Sequence, residues 1–301
     1  MPSITPWFAT IFGKTGVIAK AAQATDYALE NCSHSSSAFY RRIRLNRLAV
    51  GQSGKQPNNQ TQITFSDCAL CREMVILPAG SFDQGDLKGA GDEDERPVFT
   101  VVMSTRIAMA RTEVTYRQWD QCVRVGRCEA LPEETGDAIK RVERPVQNVS
   151  WNDTRDFLAW LTDVSGHAYR LATESEFEYA ARAGTKTRFS WGDEPSRDYA
   201  NYGTDVCCGG HAEGMDKWFS PGPVGSFPAN AFGLRDMAGN VQEWVEDCWS
   251  ESYGGPVNCE FRVLRGGSWS SVPKMIRPAN RDKGPLDVRL PYYGFRVVRD
   301  L

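Results

Sequence analysis

The sequence predicts an α+β fold, and three observations carry that expectation. Three short helices with complete capping signals lie close together in its middle, and short apolar strands flank them on both sides. Between the last helix and the last strands runs a long coil dense in turn formers, Trp and Phe. The composition agrees: 301 residues, 41% hydrophobic and 24% charged, suit a globular chain of one large or two modest domains.

Residues 1–50 stand apart. Lys14, Lys20, Arg41, Arg42, Arg44 and Arg47 against Asp26 and Glu30 give +4 there, which leaves −7 of the overall −3 for the remainder. Helices are expected over 15–31 and 37–48. Trp7 to Ala19 is fairly apolar, but Lys14 interrupts it and no positive segment precedes it, so no secretory signal is read. We read 1–50 as a basic, helical segment that is solvated or docks a partner. Residues 51–67 form a polar linker of the flexible kind, and 68–301 the folded domain, which is expected to stand without the tail. With a net charge of −3, nucleic acid is not an expected partner. No apolar run approaches the roughly 20 residues that span a bilayer.

Within the domain, Met74-Val-Ile-Leu-Pro-Ala-Gly reads as a strand ending in a turn and Val98–Met103 as a second strand, with an acidic loop between them. Thr115 places a hydroxyl at an N-cap with Gln118 three residues on, and Trp119, Cys122 and Val123 follow at helical spacing before Gly126. Ser150 with Asp153 opens a helix whose Phe157, Leu158 and Leu161 share one face, with Gly166 as the stop. Thr173-Glu-Ser-Glu176 is a full capping box, and Phe177, Ala180 and Ala181 supply the buried stripe. From Ala183 regular periodicity fades for about eighty residues. Strands return at Arg262–Arg265 and Gly294–Arg299, and the strands at the two ends are expected to pair around the helices.

Nine cysteines include the close pairs Cys68/Cys71, Cys122/Cys128 and Cys248/Cys259, the vicinal Cys207/Cys208 and the lone Cys32. Such pairs mean disulfides in an exported protein and metal or redox chemistry in a cytosolic one. Cys68-x-x-Cys71 has no second half at zinc spacing, so disulfides or unpaired thiols are the preferred reading. His34, His167 and His211 are the only histidines and are far apart in sequence.

Several blocks resemble one family in unbroken order. They are Arg144-Pro-Val-Gln-Asn-Val-Ser-Trp-Asn-Asp153, Tyr169-Arg-Leu-Ala-Thr-Glu-Ser-Glu-Phe-Glu-Tyr-Ala-Ala-Arg-Ala-Gly184, Trp191-Gly-Asp193, the run from Pro223 through Gly239-Asn-Val-Gln-Glu-Trp244, Arg265-Gly-Gly-Ser-Trp269 and Gly294-Phe-Arg-Val297. The chain from about Cys71 to Leu301 is similar to the formylglycine-generating-enzyme, or sulfatase-modifying factor, family. The resemblance implies an elaborated C-type-lectin-like fold. Ala172 and Phe177 replace the Pro and Trp usual in the helix block, both as packing changes.

Function depends on the site rather than the fold. The family's oxidases resemble this chain but bind Cu(I) through two thiolates shortly after the Gly-Gly-Ser-aromatic block. Here Ser271 and Ile276 stand at those positions and no cysteine follows Cys259. A hydroxyl does not replace a thiolate on soft Cu(I), so no copper and no catalytic residue are expected. The iron-dependent members need a histidine-rich partner domain upstream; residues 1–66 carry only His34, so that class is not expected.

Two readings remain. In variable proteins of diversity-generating retroelements, which resemble this family, the C-terminal segment carries diversified ligand contacts between fixed frame residues. Here the frame would include Arg265–Trp269, Pro273, Arg277, Arg281, Pro285, Arg289 and Gly294–Val297. The expected ligand-binding surface is Trp269, Ser270, Ser271, Val272, Lys274, Met275, Leu286, Asp287, Val288, Leu290, Pro291, Tyr292 and Tyr293, with Tyr292 as the aromatic anchor; core packing against Trp269 is the alternative, open for Tyr292 and preferred for Tyr293, which directly precedes the strand. Its ligand would be a protein or cell-surface molecule. The alternative is a non-copper oxidoreductase or maturation enzyme of the family.

The resemblance also implies calcium at Asn240, Val241 and Glu243, where side-chain oxygens and a carbonyl suit a hard cation; the family's Trp between Val and Glu is Gln242 here. Arg265, Arg281 and Arg296 are expected as buried partners of carboxylates such as Asp236 or Glu176.

Overall fold

The computed structural model describes residues 44–46, 62–132, 141–203 and 212–301. The helix expected over 15–31, and Cys32, Cys207 and Cys208, lie outside the described residues. The described residues all belong to one compact unit. In chain order the described strands and helices are β1 Arg44–Asn46, β2 Gln62–Phe65, β3 Met74–Ile76, β4 Gly80–Gln84, β5 Phe99–Met103, β6 Ile107–Ala110, α1 Tyr116–Arg124, α2 Trp151–Ser165 and α3 Glu174–Arg182. They continue with β7 Gln242–Ser250, β8 Val257–Arg265, β9 Arg281–Pro285, β10 Tyr293–Gly294 and β11 Val298–Asp300.

A five-stranded antiparallel sheet has the order β1-β2-β3-β6-β11, so strands from the two ends of the domain do share a sheet, with β6 between β3 and β11. A second sheet, β10-β7-β8-β9, carries the C-terminal half, and β4 pairs with β5 in a separate ribbon. This is the mixed architecture of an elaborated C-type-lectin-like fold.

The helices follow their capping signals. Thr115, Ser150 and Thr173 are the N-caps of α1, α2 and α3, each with a reciprocal capping box to Gln118, Asp153 and Glu176. Gly166 ends α2 in the left-handed region at φ 71°. Their apolar faces build the core. Trp119 stacks on Phe157 with ring centroids 5.8 Å apart, and Phe295 meets both edge-on. A second cluster packs Phe177, Ala180 and Ala181 of α3 with Val75, Met109, Val245 and Val298.

Buried ion pairs stitch the C-terminal sheet to α3, with Arg265 2.6 Å from Glu178 and Arg281 2.6 Å from Glu174; a further buried pair, Arg277 with Glu95 at 2.5 Å, ties the segment before β9 to the loop between β4 and β5. The three arginines expected as carboxylate partners are therefore so engaged, with Arg296 on Glu243, although the acids are not the ones named from sequence. Three disulfides close, Cys68–Cys71, Cys122–Cys128 and Cys248–Cys259.

Four expectations need correction. Residues 44–46, placed in a helix over 37–48, form β1 and pair with 62–64. The linker expected over 51–67 ends inside the sheet, because β2 pairs with β3 and buries Thr64 and Phe65. The long coil after Ala183 contains nine-residue β7; its first four residues are all buried, so no two-residue alternation marks it. The strand expected over 294–299 is broken, because Arg296 turns into the core and leaves β10 on β7 and β11 on β6.

Candidate functional site

The C-terminal segment is built as two excursions from the second sheet. After β8 the chain reverses at Gly266 and Gly267, with φ 87° and 64°. A Cβ on Gly267 would lie 2.8 Å from the Met275 carbonyl oxygen, so only glycine lets the two passes approach this closely. The first excursion, 268–276, is anchored by the Trp269 N–H donating to the Asn240 carbonyl at 2.9 Å, and it ends in a 3-10 turn over Pro273–Ile276. The second, 286–292, lies against the start of α2 and the loop before it. There the N–H groups of Asn152 and Asn148 donate to the carbonyls of Leu286 and Leu290 at 3.3 and 3.1 Å. The indole N–H of Trp269 reaches the Pro291 carbonyl at 3.4 Å, so the two excursions meet.

Within this face the expected ligand contacts divide. Asp287 and Pro291 are exposed, whereas Trp269, Ser270, Val272, Lys274 and Met275 are half-buried. Lys274 is paired with Asp92 at 2.6 Å. Along 286–292 exposure alternates: Asp287, Arg289 and Pro291 face outward, while Leu286, Val288, Leu290 and Tyr292 are half-buried and pack on the main core. The aromatic anchor expected at Tyr292 therefore turns one side inward, against Tyr293 at a centroid distance of 5.1 Å. Ser271 and Tyr293 are 6% and 5% exposed and do not belong to an outer surface. Tyr293 is fixed by β10 and by an edge contact to Trp244 at 5.0 Å.

The two positions at which the family resemblance implies thiolates, Ser271 and Ile276, are filled by packing residues. Ser271 Oγ accepts the Ser268 N–H at 2.9 Å and lies 3.2 Å from the Ser268 hydroxyl, which in turn is 3.1 Å from that of Ser270. Ile276 is completely buried in a cluster with Phe189, Ala200 and Tyr202. A hydroxyl cluster and an aliphatic side chain offer no soft ligand.

The residues named for calcium do not fit a cation cage as arranged. Both oxygens of Glu243 accept from Arg296 at 2.6 Å. Asn240 Oδ1 accepts the Gly222 N–H at 2.9 Å, and its Nδ2 donates to Glu113 at 2.9 Å. Among the described residues no group of three or more His, Cys, Asp or Glu side chains is arranged to hold a metal. Glu113 is the residue that sequence reasoning missed. It is fully buried, and burial, reinforced by nearby Asp236 and Glu243, pushes its carboxyl well above the ordinary range. Its position two residues before the α1 N-cap was the available signal, and it reads equally well as a helix-approach acid.

Comparison with known proteins bears on family and fold. Residues 60–301 match the sulfatase-modifying factor enzyme 1-like domain. The chain belongs to that family. It is 33% identical to the formylglycine-generating enzyme of Mycobacterium tuberculosis over 80% of this chain and 85% of that protein. It matches the serine/threonine-protein kinase pkn1 of Chlamydia caviae at 29% identity, but spans only 38% of that protein's length. Among solved structures, PvdO from Pseudomonas aeruginosa superposes with a TM-score of 0.68 at 33% identity, covering 82% of this chain and all of PvdO. Variable protein 1 of Treponema denticola shares the fold at a TM-score of 0.63 and 22% identity, over 80% of this chain and 99% of that one. Formylglycine-generating enzymes and a variable protein thus stand among the neighbours of this family member. No helix among the described residues is long and apolar enough to cross a membrane.

Proposed function

We propose that this chain is a ligand-binding member of the family that presents its C-terminal segment as a recognition surface, tailored by a diversity-generating retroelement. The observation that carries the proposal is the refilling of both thiolate positions by buried Ser271 and Ile276, while the frame residues around them keep the excursions in place. Arg265 donates to the carbonyls of Pro278, Ala279 and Asn280, and Arg289 clamps Asp153, so the frame holds whatever the intervening positions present. The presented side chains are Trp269, Ser270, Val272, Lys274, Met275, Asp287 and Pro291, with the outer side of Tyr292. Such a surface, mixed in charge and centred on aromatic rings, suits a protein or cell-surface ligand.

The DNA beside the gene tests this reading. A near copy of the segment encoding 265–297, differing almost only where the copy has adenine, is the expected finding. A second reading, a non-copper enzyme of the family, is favoured by the 33% identity to the formylglycine-generating enzyme of M. tuberculosis. It becomes the better account if no such copy exists.

A further inference from the structure

We propose that Cys68–Cys71 is a thiol–disulfide exchange site whose substrate is a dithiol of a partner protein. The pair has the Cys-x-x-Cys spacing, and the structure closes it as a disulfide in the turn leading from β2 toward β3. Both cysteines are half-buried rather than enclosed, and Ala69 between them is exposed. The sulfurs differ in setting. Cys71 packs against the main hydrophobic cluster together with Leu70, whereas Cys68 does not, so Cys68 is the sulfur open to attack.

The turn does not depend on the bridge. The Cys71 N–H donates to the Cys68 carbonyl at 3.1 Å, and the Ser66 hydroxyl donates to the carbonyls of Cys68 and Cys71 at 3.0 and 3.2 Å. A link across a loop this short also constrains the unfolded chain least. Opening it leaves the β2–β3 pairing in place. Cys122–Cys128 is different, because both residues are buried; Cys248–Cys259 has an exposed Cys259 but ties β7 to β8 at an irregularity in their register, so it is the pairing of the two long strands rather than burial that holds it closed.

Asp67, directly before Cys68, would oppose a thiolate there, but its carboxylate is engaged by Arg299, by the Tyr169 hydroxyl at 2.7 Å and by His167 at 3.6 Å. In the exchange, a partner thiolate attacks Cys68 Sγ, the Cys68–Cys71 bond breaks, and Cys71 leaves as the thiolate. The partner's second thiol then attacks the mixed disulfide and releases Cys68. Two electrons and two protons pass to this pair, and the partner's dithiol becomes a disulfide.

The test is graded reduction of the full chain by dithiothreitol, with alkylation and peptide mass mapping of every cysteine. Cys68 and Cys71 are expected to be labelled first, at a reductant concentration at least tenfold below that for the other two bridges, with the cooperative melt retained. In addition, Cys71→Ser should form a mixed disulfide with oxidised glutathione at Cys68 at least tenfold faster than Cys68→Ser does at Cys71. Should either variant fail to fold, the mapping on the unaltered chain decides. Opening of Cys68–Cys71 together with or after the other bridges, or only with loss of the melt, would overturn the proposal, as would equal reactivity of the two single thiols.

Discussion

Arg296 and Glu243 face each other in the centre of the domain, each 1% exposed, with both carboxylate oxygens accepting from the guanidinium at 2.6 Å. The same guanidinium donates to the carbonyls of Arg235 and Asp236 at 3.2 Å, so it joins β7 to the loop before it and to the chain between β10 and β11. Removing one partner leaves a buried charge uncompensated. Glu243→Ala and Arg296→Ala are each expected to cost about 3–5 kcal/mol, read from urea unfolding. A loss below 1 kcal/mol for both would show that the pair is not the anchor described.

The alternating exposure of 286–292 makes a contrast that stability measurements can resolve. Leu286→Ala and Leu290→Ala remove half-buried contacts to the core and should each cost about 1–2 kcal/mol. Pro291→Ala, on the outward side, should stay within about 0.5 kcal/mol of the parent. The opposite ranking would mean that the leucines, not the outward residues, form the presented surface.

Burial pushes the Asp247 carboxyl up to about 6 from the ordinary 3.8. A carboxyl whose native pKa is raised favours the folded state while it holds its proton. Its contribution is fully present below about pH 4 and is lost as the pH rises through about 6. Asp247→Asn keeps an acceptor for the Glu174 N–H, which Asp247 now receives at 2.7 Å, without titrating. The variant should therefore gain about 1–3 kcal/mol relative to the parent between pH 4 and pH 8, followed by thermal melts across that range. A constant difference across the range would exclude the shift.

Gly239 has φ 75°, and a Cβ there would sit 2.0 Å from the Asn201 carbonyl oxygen. Gly239→Ala combines backbone strain with a clash against main chain that cannot rotate away. A loss of about 2–4 kcal/mol in chemical denaturation is expected. A variant as stable as the parent would contradict the close approach of these two loops.

The helices were legible because their signals are local. Thr115, Ser150 and Thr173 each bond a residue three positions on, and that spacing is visible without any tertiary context. In the family blocks, Gly266 and Gly267 mark a close backbone approach and Arg265 a buried ion pair. What stayed hidden depends on partners distant in sequence. β7 is covered on both faces and lacks a two-residue period. For Leu290 and Tyr292 the pattern does not decide between surface and core, because the core that receives them comes from α1, α2 and the main sheet. Glu113 meets Asn240 across 127 positions, and no short pattern announces such a contact.

Ser271 and Ile276, at the positions where the resemblance implies copper thiolates, serve packing instead, and anaerobic titration of the full chain with Cu(I) against a competing chelator tests this most directly. The expected result is no stoichiometric Cu(I) retained and no conversion of a cysteine-containing sulfatase peptide. One equivalent of tightly held Cu(I) with turnover of that peptide would contradict it.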